Sequence, residues 1–183
     1  MMMDDQHFIQ TAIDAARKCK PEDDRRHPKV GVVVVQAGNV LAVAYRGELE
    51  AGEHAEYTAL ERKLLHDTLV GATVYTTLEP CTSRSHPKVP CVERLIERKV
   101  NRVCIGMLDP NPAISGKGQR RLGDANIKTD FFPGNFMAEV EELNESSCVS
   151  TARPRLPITI SHQPRKGCPV HTELFASTAN PVF

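Results

Sequence analysis

One histidine and two cysteines, His54, Cys81 and Cys91, have the side-chain types to hold a single metal ion, and a carboxylate, Glu56, stands two residues beyond the histidine. One imidazole and two thiolates are the donor set of a catalytic zinc site, which keeps its fourth tetrahedral position for water; a structural site fills that position with a fourth protein ligand. Zn2+ brings the pKa of such a water from about 15.7 to about 7, so a nucleophile is available at neutral pH, but a carboxylate must still move the proton onward. Glu56 is placed for that task, able to face the open position without coordinating. Alone, His54-Ala55-Glu56 carries no signal, because such a triplet occurs by chance in many helices. Joined to Pro80-Cys81 after a strand and to Cys91 before the next helix, it becomes specific. The plain reading of Cys81 and Cys91 is a pair of buried thiols, but Cys81 follows Leu78-Glu79-Pro80 in a loop, where burial gives no reason for cysteine.

The elements that must bring these residues together are legible in the periodicity. A helix capped by Asp4 or Asp5 carries Phe8, Ile9, Ala12, Ile13 and Ala16 at helical spacing and ends by Pro21. Val30 to Val35 reads as a strand buried on both faces. Ala37-Gly38-Asn39 turns it into an antiparallel partner, Val40 to Tyr45. His54 to Leu65 fits a helix with Ala55, Ala59, Leu60 and Leu64 along one side, and Ala72 to Leu78 the next strand. An amphipathic helix through Val92, Leu95, Ile96 and Val100 follows, then a strand at Arg102 to Met107, a Pro/Gly loop at Asp109 to Gly118, a short helix at Gln119 to Leu122, a strand at Ile127 to Phe131 and a helix at Asn135 to Asn144. Alternation of this kind predicts the α/β class, with a mixed sheet of about five strands covered by helices on both faces.

Composition sets the outer limits. A chain of 183 residues with 40% hydrophobic and 25% charged residues has the means for one ordinary core. Its 23 basic and 23 acidic residues cancel, which leaves no overall electrostatic footprint for a nucleic-acid backbone. No apolar run approaches the roughly 20 residues of a membrane span, and Met1-Met2-Met3-Asp4-Asp5 lacks the basic and apolar regions of a signal peptide, so a cytoplasmic location is expected. In that reducing compartment the six cysteines read as thiols or metal ligands. Residues 1–147 form the predicted catalytic domain. Residues 148–183 change character: Pro154, Pro157, Pro164, Pro169 and Pro181 punctuate them, and Arg153, Arg155, Arg165 and Lys166 face a single acid, Glu173. They read as a Pro-rich, basic tail, flexible or draped on a partner. Cys168 and His171 within it lack the further ligands of a zinc site.

The pattern His54-x-Glu56 with Pro80-Cys81 resembles the zinc-dependent cytidine and deoxycytidylate deaminase superfamily, whose signature is His-x-Glu followed by Pro-Cys-x-x-Cys. Nine residues separate Cys81 from Cys91 where most of those enzymes place two. The longer interval, with Thr77-Leu78-Glu79-Pro80-Cys81 before it and Pro90-Cys91 after it, is similar to the deaminase domain of bifunctional riboflavin-biosynthesis proteins. So are Pro28-x-Val30-Gly31 and Asp109-Pro110-Asn111-Pro112 with Gly116-Lys117-Gly118. The similarity runs over residues 4–147. It implies a three-layer α/β/α cytidine-deaminase-like fold, Zn2+ on His54, Cys81 and Cys91, and Glu56 as the proton shuttle. It also implies a small nucleotide-like substrate, an aminopyrimidine ribosyl phosphate losing its exocyclic amine as ammonia. Asp109 and Asn111 then belong near the sugar, and the inter-cysteine loop with His86 and Lys88 near the phosphate. His27 occupies the position where the family carries a substrate-contacting Asn. Assembly as a homo-oligomer, dimer or tetramer, is implied as well, and the stretch after residue 147 is expected to be too short for the reductase domain that often follows in those proteins.

Two rival readings remain open on sequence. A nucleic-acid-editing or nucleic-acid-binding protein would use the basic tail as an electrostatic arm, although zero net charge and 5% aromatic residues offer little for phosphate tracking or base stacking. A zinc-stabilised interaction module without catalysis would have no use for Glu56.

Overall fold

Valine dominates the centre of the protein. Strand β1, Gly31–Gln36, is the sequence Gly-Val-Val-Val-Val-Gln, buried at every position but the last, as a strand covered on both faces must be. The computed structural model describes residues 3–145; the tail read at 148–183 lies outside them. β1 pairs antiparallel with β2, Asn39–Tyr45, through a tight turn in which Ala37 and Gly38 both take positive φ, and antiparallel with β3, Thr73–Leu78, on its other side. Beyond β3 the sheet continues parallel through β4, Arg102–Met107, and β5, Lys128–Phe131. The order β2-β1-β3-β4-β5 is a mixed five-stranded sheet, as the alternation of elements predicts.

Helix α1, Met3–Ala16, and helix α5, Gly134–Asn144, pack together on one face. The parallel crossovers are carried by α3, Cys91–Glu97, and α4, Lys117–Asp124, on the opposite face, where α3 neighbours both α4 and α2. α2 is Ala55–Tyr57 and continues directly as a π-helical segment, Thr58–Lys63. The regular helix expected over 54–65 is therefore widened in its second half, a distortion that proteins keep mostly near functional sites. The close seat of α1 depends on Gly31: a Cβ there would lie 2.0 Å from the Ala12 carbonyl oxygen and 2.5 Å from the Ala16 nitrogen. At the far end of α5, the buried Asn144 side chain accepts from the Lys29 amide at 2.7 Å and donates to the Lys29 carbonyl at 3.3 Å, which fixes the Pro28-Lys29-Val30 segment.

The expected Asp5 cap on α1 is not what the structure contains. The helix begins at Met3, and Asp5 turns inward, where its carboxylate accepts from the Tyr75 hydroxyl and from Arg102 at 3.2 Å through both oxygens. Side-chain donors from the interior strands β3 and β4 outcompete the helix amides because a buried carboxylate needs charge as well as hydrogen bonds. Burial pushes the Asp5 carboxyl up, but the hydrogen bonds from Arg102 and Tyr75 outweigh it and hold the group below its ordinary value. A depressed carboxylate contributes stability above its unfolded pKa and loses that contribution as pH falls through the folded value. Asp5→Asn is accordingly expected to cost about 1–3 kcal/mol at pH 7. In thermal melts its gap to the unchanged protein should narrow once the pH drops below about 4. A gap that stays constant down to pH 2 would show that the ionised carboxylate contributes nothing.

Candidate active site

Each metal-ligand candidate sits at the start of a helix or just past the end of a strand. His54 is the N-cap residue of α2, extended at φ −75° and ψ 148°, while Cys91 opens α3 after Pro90. Cys81 follows β3 by three residues. The chain there closes on itself: the Val92 amide donates to the Cys81 carbonyl at 3.2 Å, and the Cys91 amide donates to the Cys81 sulfur at 3.3 Å. The two helices are also tied at their far ends. Arg98, just past α3, donates to the carbonyls of Leu60, Leu64 and Asp67 where the π-helical segment ends, and Arg94 pairs with Glu61 at 3.1 Å. Orphan carbonyls at a helix end are thereby satisfied, and the two ligand-bearing N-termini are held in one relation.

His54, Cys81 and Cys91 bring their ligand atoms within 4.8 Å of one another. The His54 Nδ1 atom lies 3.6 Å from the Cys81 sulfur and 3.4 Å from the Cys91 sulfur. A nitrogen at ~2.05 Å and a sulfur at ~2.3 Å on one tetrahedral zinc stand about 3.6 Å apart, so these spacings are the edges of a zinc tetrahedron with Nδ1 as the ligating nitrogen. The hydrogen bond between the two thiols holds Cys81 below its ordinary value, and the same bond together with full burial pushes Cys91 up. A thiolate poised at a helix N-terminus is the form that a metal takes. No other group of three or more candidate ligands meets among the described residues.

Glu56 completes the arrangement. It is buried, the second residue of α2, and lines the same pocket as His54 and Cys81, together with Pro28, Val30, Arg46, Leu78, Glu79 and Asp109. Counting its mouth, the pocket has a volume of about 430 Å³. Burial pushes the Glu56 carboxyl up, against the partial opposition of His54. A carboxyl that holds its proton more tightly than an exposed one, beside a metal group, suits proton transfer near neutral pH. The site opens past the carboxyl ends of the parallel strands β3 and β4, where open α/β sheets place their ligands.

The remaining sequence candidates are distributed around this centre. Asp109 is in the pocket. Asn111 stands outside it and organises the loop: its Oδ1 accepts from the Ala113 amide at 3.0 Å, and its own amide donates to Asp109 Oδ1 at 2.9 Å. His27 lines a neighbouring groove with Lys20, Arg25 and Lys29, its Nε2 at 3.0 Å from Asp23, and that groove shares Pro28 and Arg46 with the metal pocket. Lys88 lines a third groove, beside Arg62, Arg84, Arg94 and Tyr57, and His86 is an exposed residue of the same inter-cysteine loop. Two charged pocket residues, Arg46 and Glu79, are given no role by the sequence reading. Arg46 is gripped by Glu22 through two hydrogen bonds of 2.9 Å and has no local spacing that points to the site, while Glu79 is a buried acid whose place beside Pro80-Cys81 marks the motif but not its own partners.

A pocket at the ends of parallel strands, lined by His54 and Cys81 of a metal-ligand group with a buried carboxylate beside it, fits the zinc-dependent deaminase class, and comparison with known proteins agrees. Residues 2–107 match the cytidine and deoxycytidylate deaminase zinc-binding region, and the chain belongs to that family. Zinc is therefore the metal for which this His-Cys-Cys group is built. Among curated relatives, the riboflavin biosynthesis protein RibD of Aquifex aeolicus is 36% identical over 156 residues, covering 85% of this chain and 42% of that protein. The diaminohydroxyphosphoribosylamino-pyrimidine deaminase of Schizosaccharomyces pombe is 34% identical over 125 residues, covering 67% of this chain and 30% of that one. The crystal structure of a Thermotoga maritima diaminohydroxyphosphoribosylaminopyrimidine deaminase/5-amino-6-(5-phosphoribosylamino)uracil reductase superposes with a TM-score of 0.68 at 34% identity, over 78% of this chain and 39% of that one. The chain thus spans less than half the length of these relatives.

Proposed function

We propose that this chain hydrolytically removes an exocyclic amino group from an aminopyrimidine ribosyl phosphate, with His54, Cys81 and Cys91 holding the zinc and Glu56 moving the protons. The observation that carries the reading is the meeting of a buried carboxylate with His54 and Cys81 in one pocket. Bound by that group, zinc supplies an acidified water whose pKa falls to about 7. Glu56 takes the proton this water gives up as the carbon–oxygen bond forms, and hands it to the ring nitrogen beside the attacked carbon. When the carbon–nitrogen bond breaks, Glu56 takes the remaining proton from the hydroxyl now on carbon and delivers it to the departing amine, so that water and amine become carbonyl and ammonia in balance. Asp109 faces the sugar; its Oδ1 is committed to the Asn111 amide, which leaves Oδ2 for a hydroxyl. His86 and Lys88, on the inter-cysteine loop, supply donors and charge toward the phosphate, and His27 stands at the rim beside Pro28.

The choice of substrate rests on the similarity to the riboflavin-biosynthesis deaminases and on the Asp109-Pro110-Asn111-Pro112 loop, one of the motifs that carry the resemblance in this sequence. An ammonia-release screen of the zinc-loaded protein tests it directly. The aminopyrimidine ribosyl phosphate should be turned over, and its dephosphorylated form should lose about tenfold or more in kcat/KM with the loss of charge-assisted hydrogen bonds. Preference for cytidine or deoxycytidylate, or indifference to the phosphate, would contradict the assignment. A cytoplasmic homo-oligomer, dimer or tetramer, is carried over from the resemblance, and a monomer in analytical ultracentrifugation contradicts that assembly.

A further inference from the structure

Glu79 has the most fully occupied side chain in the pocket wall. It follows the last residue of β3, two positions before Cys81, and is only 4% exposed. Its Oε1 accepts from the amides of Gly118 at 2.7 Å and Gln119 at 3.1 Å, and its Oε2 from the amides of Asp109 at 3.0 Å and Gly116 at 2.9 Å. All four donors are main-chain groups of the loop after β4 and the first turn of α4, 30 to 40 residues downstream. Gly118 makes the approach possible, since a Cβ there would lie 2.3 Å from the Pro80 carbonyl oxygen. A carboxylate offers about four lone-pair sites and no donor, so four amides fill it. The strand end that carries Cys81 is thereby fastened to the loop that carries Asp109.

We propose that Glu79 is a positioning residue: by gathering the amides of Asp109, Gly116, Gly118 and Gln119 it sets the Asp109 carboxylate at its place in the pocket wall, and so sets the affinity for substrate. This rests on the reading of that pocket as the substrate site. An acid is required because no neutral side chain of the same shape accepts from four donors. Glutamine would turn an NH2 group toward two of the amides, and aspartate would fall one methylene short. Glu79 does not touch the reacting atoms in this scheme. Its effect passes through Asp109, and a double-mutant cycle can detect it as coupling.

The test uses the full, zinc-loaded chain and the variants Glu79→Gln, Asp109→Ala and their combination. Glu79→Gln should keep its zinc, raise KM about tenfold and leave kcat within about threefold, because it disturbs binding and leaves the proton shuttle alone. In the ligand-free protein the amides of Gly116, Gly118 and Gln119 should exchange hydrogen faster than in the unchanged chain. In the Asp109→Ala background, Glu79→Gln should add less than about twofold to KM, since the group it positions is gone. Unchanged exchange at the three amides, an effect on KM that multiplies independently of Asp109, or a fall in kcat at constant KM would each overturn the proposal. If Glu79→Gln does not fold, Gly116→Ala strains the same loop at φ 77° with no atom within 4 Å of the new Cβ, and the same KM rise, again absorbed by Asp109→Ala, is expected. A KM unmoved by it overturns the proposal. Should the protein not turn over any aminopyrimidine ribosyl phosphate, the functional reading fails, while the amide-exchange comparison still decides whether Glu79 holds the loop.

Discussion

Glu56→Gln is expected to lower kcat by at least about 10³-fold while leaving zinc content unchanged, a loss of about 4 kcal/mol of transition-state stabilisation. The magnitude follows from the double use of one carboxyl: it takes a proton when the nucleophile forms and gives one when the amine leaves, and glutamine does neither. The ligands are untouched, because Glu56 lines the pocket beside His54 and Cys81 without belonging to the three-atom group. Stability should move the other way. A carboxylate buried to 3% exposure, whose pKa burial pushes up, is a destabilising feature kept for chemistry, so the glutamine variant should melt at the same temperature or higher. Substantial residual ammonia release from a zinc-replete Glu56→Gln protein would remove the shuttle from the scheme.

Cys91→Ala should abolish both metal and turnover. Cys91 is completely buried, opens α3, and stands 3.4 Å from His54 Nδ1, so removing its sulfur takes one corner from the tetrahedron. Two protein ligands do not retain zinc through gel filtration, and the metal content should fall from one equivalent to near zero. The melting temperature should fall too, since binding to the folded state alone stabilises by mass action, by about 4 kcal/mol at a thousandfold excess over Kd. Cys104 is the control. It is equally buried, in β4, and burial pushes its thiol up to about 12, as expected of an inert packing residue away from the group. Cys104→Ala should keep zinc and activity and lose only packing. Full zinc occupancy in Cys91→Ala would mean that another residue supplies the third ligand.

Much of this arrangement is legible in the sequence because local patterns determine it. The Val30–Val35 run, the turn at Ala37-Gly38 and the strand at Arg102–Met107 all stand where periodicity and turn chemistry put them, within a residue. His54, Glu56, Cys81 and Cys91 are recoverable because metal chemistry limits which residue types can meet and because two of them open helices. What sequence hides is long-range satisfaction of polar groups. Asp5 has the look of a helix cap, yet its partners are Tyr75 and Arg102, some 70 and 97 residues away. Glu79 reads as a neighbour of Pro80-Cys81, and only the folded loop reveals four amides converging on it. Asn111 resembles a substrate contact beside a proline, and the fold adds what its spacing does not show, that its Oδ1 accepts from the Ala113 amide, as asparagine in turns commonly does. The widening of α2 after Tyr57 has no signature in its apolar spacing, which suits a regular helix equally well.

Zinc-edge X-ray absorption on the purified protein addresses the core of the account most directly. The predicted shell is two sulfurs at ~2.3 Å and two light atoms at ~2.0–2.1 Å, one of them an imidazole nitrogen and the other a solvent oxygen that a small anion or inhibitor can replace. A shell with three sulfurs or two imidazoles, closed to exogenous ligands, would contradict it, because a metal with four protein donors leaves nowhere for the attacking water.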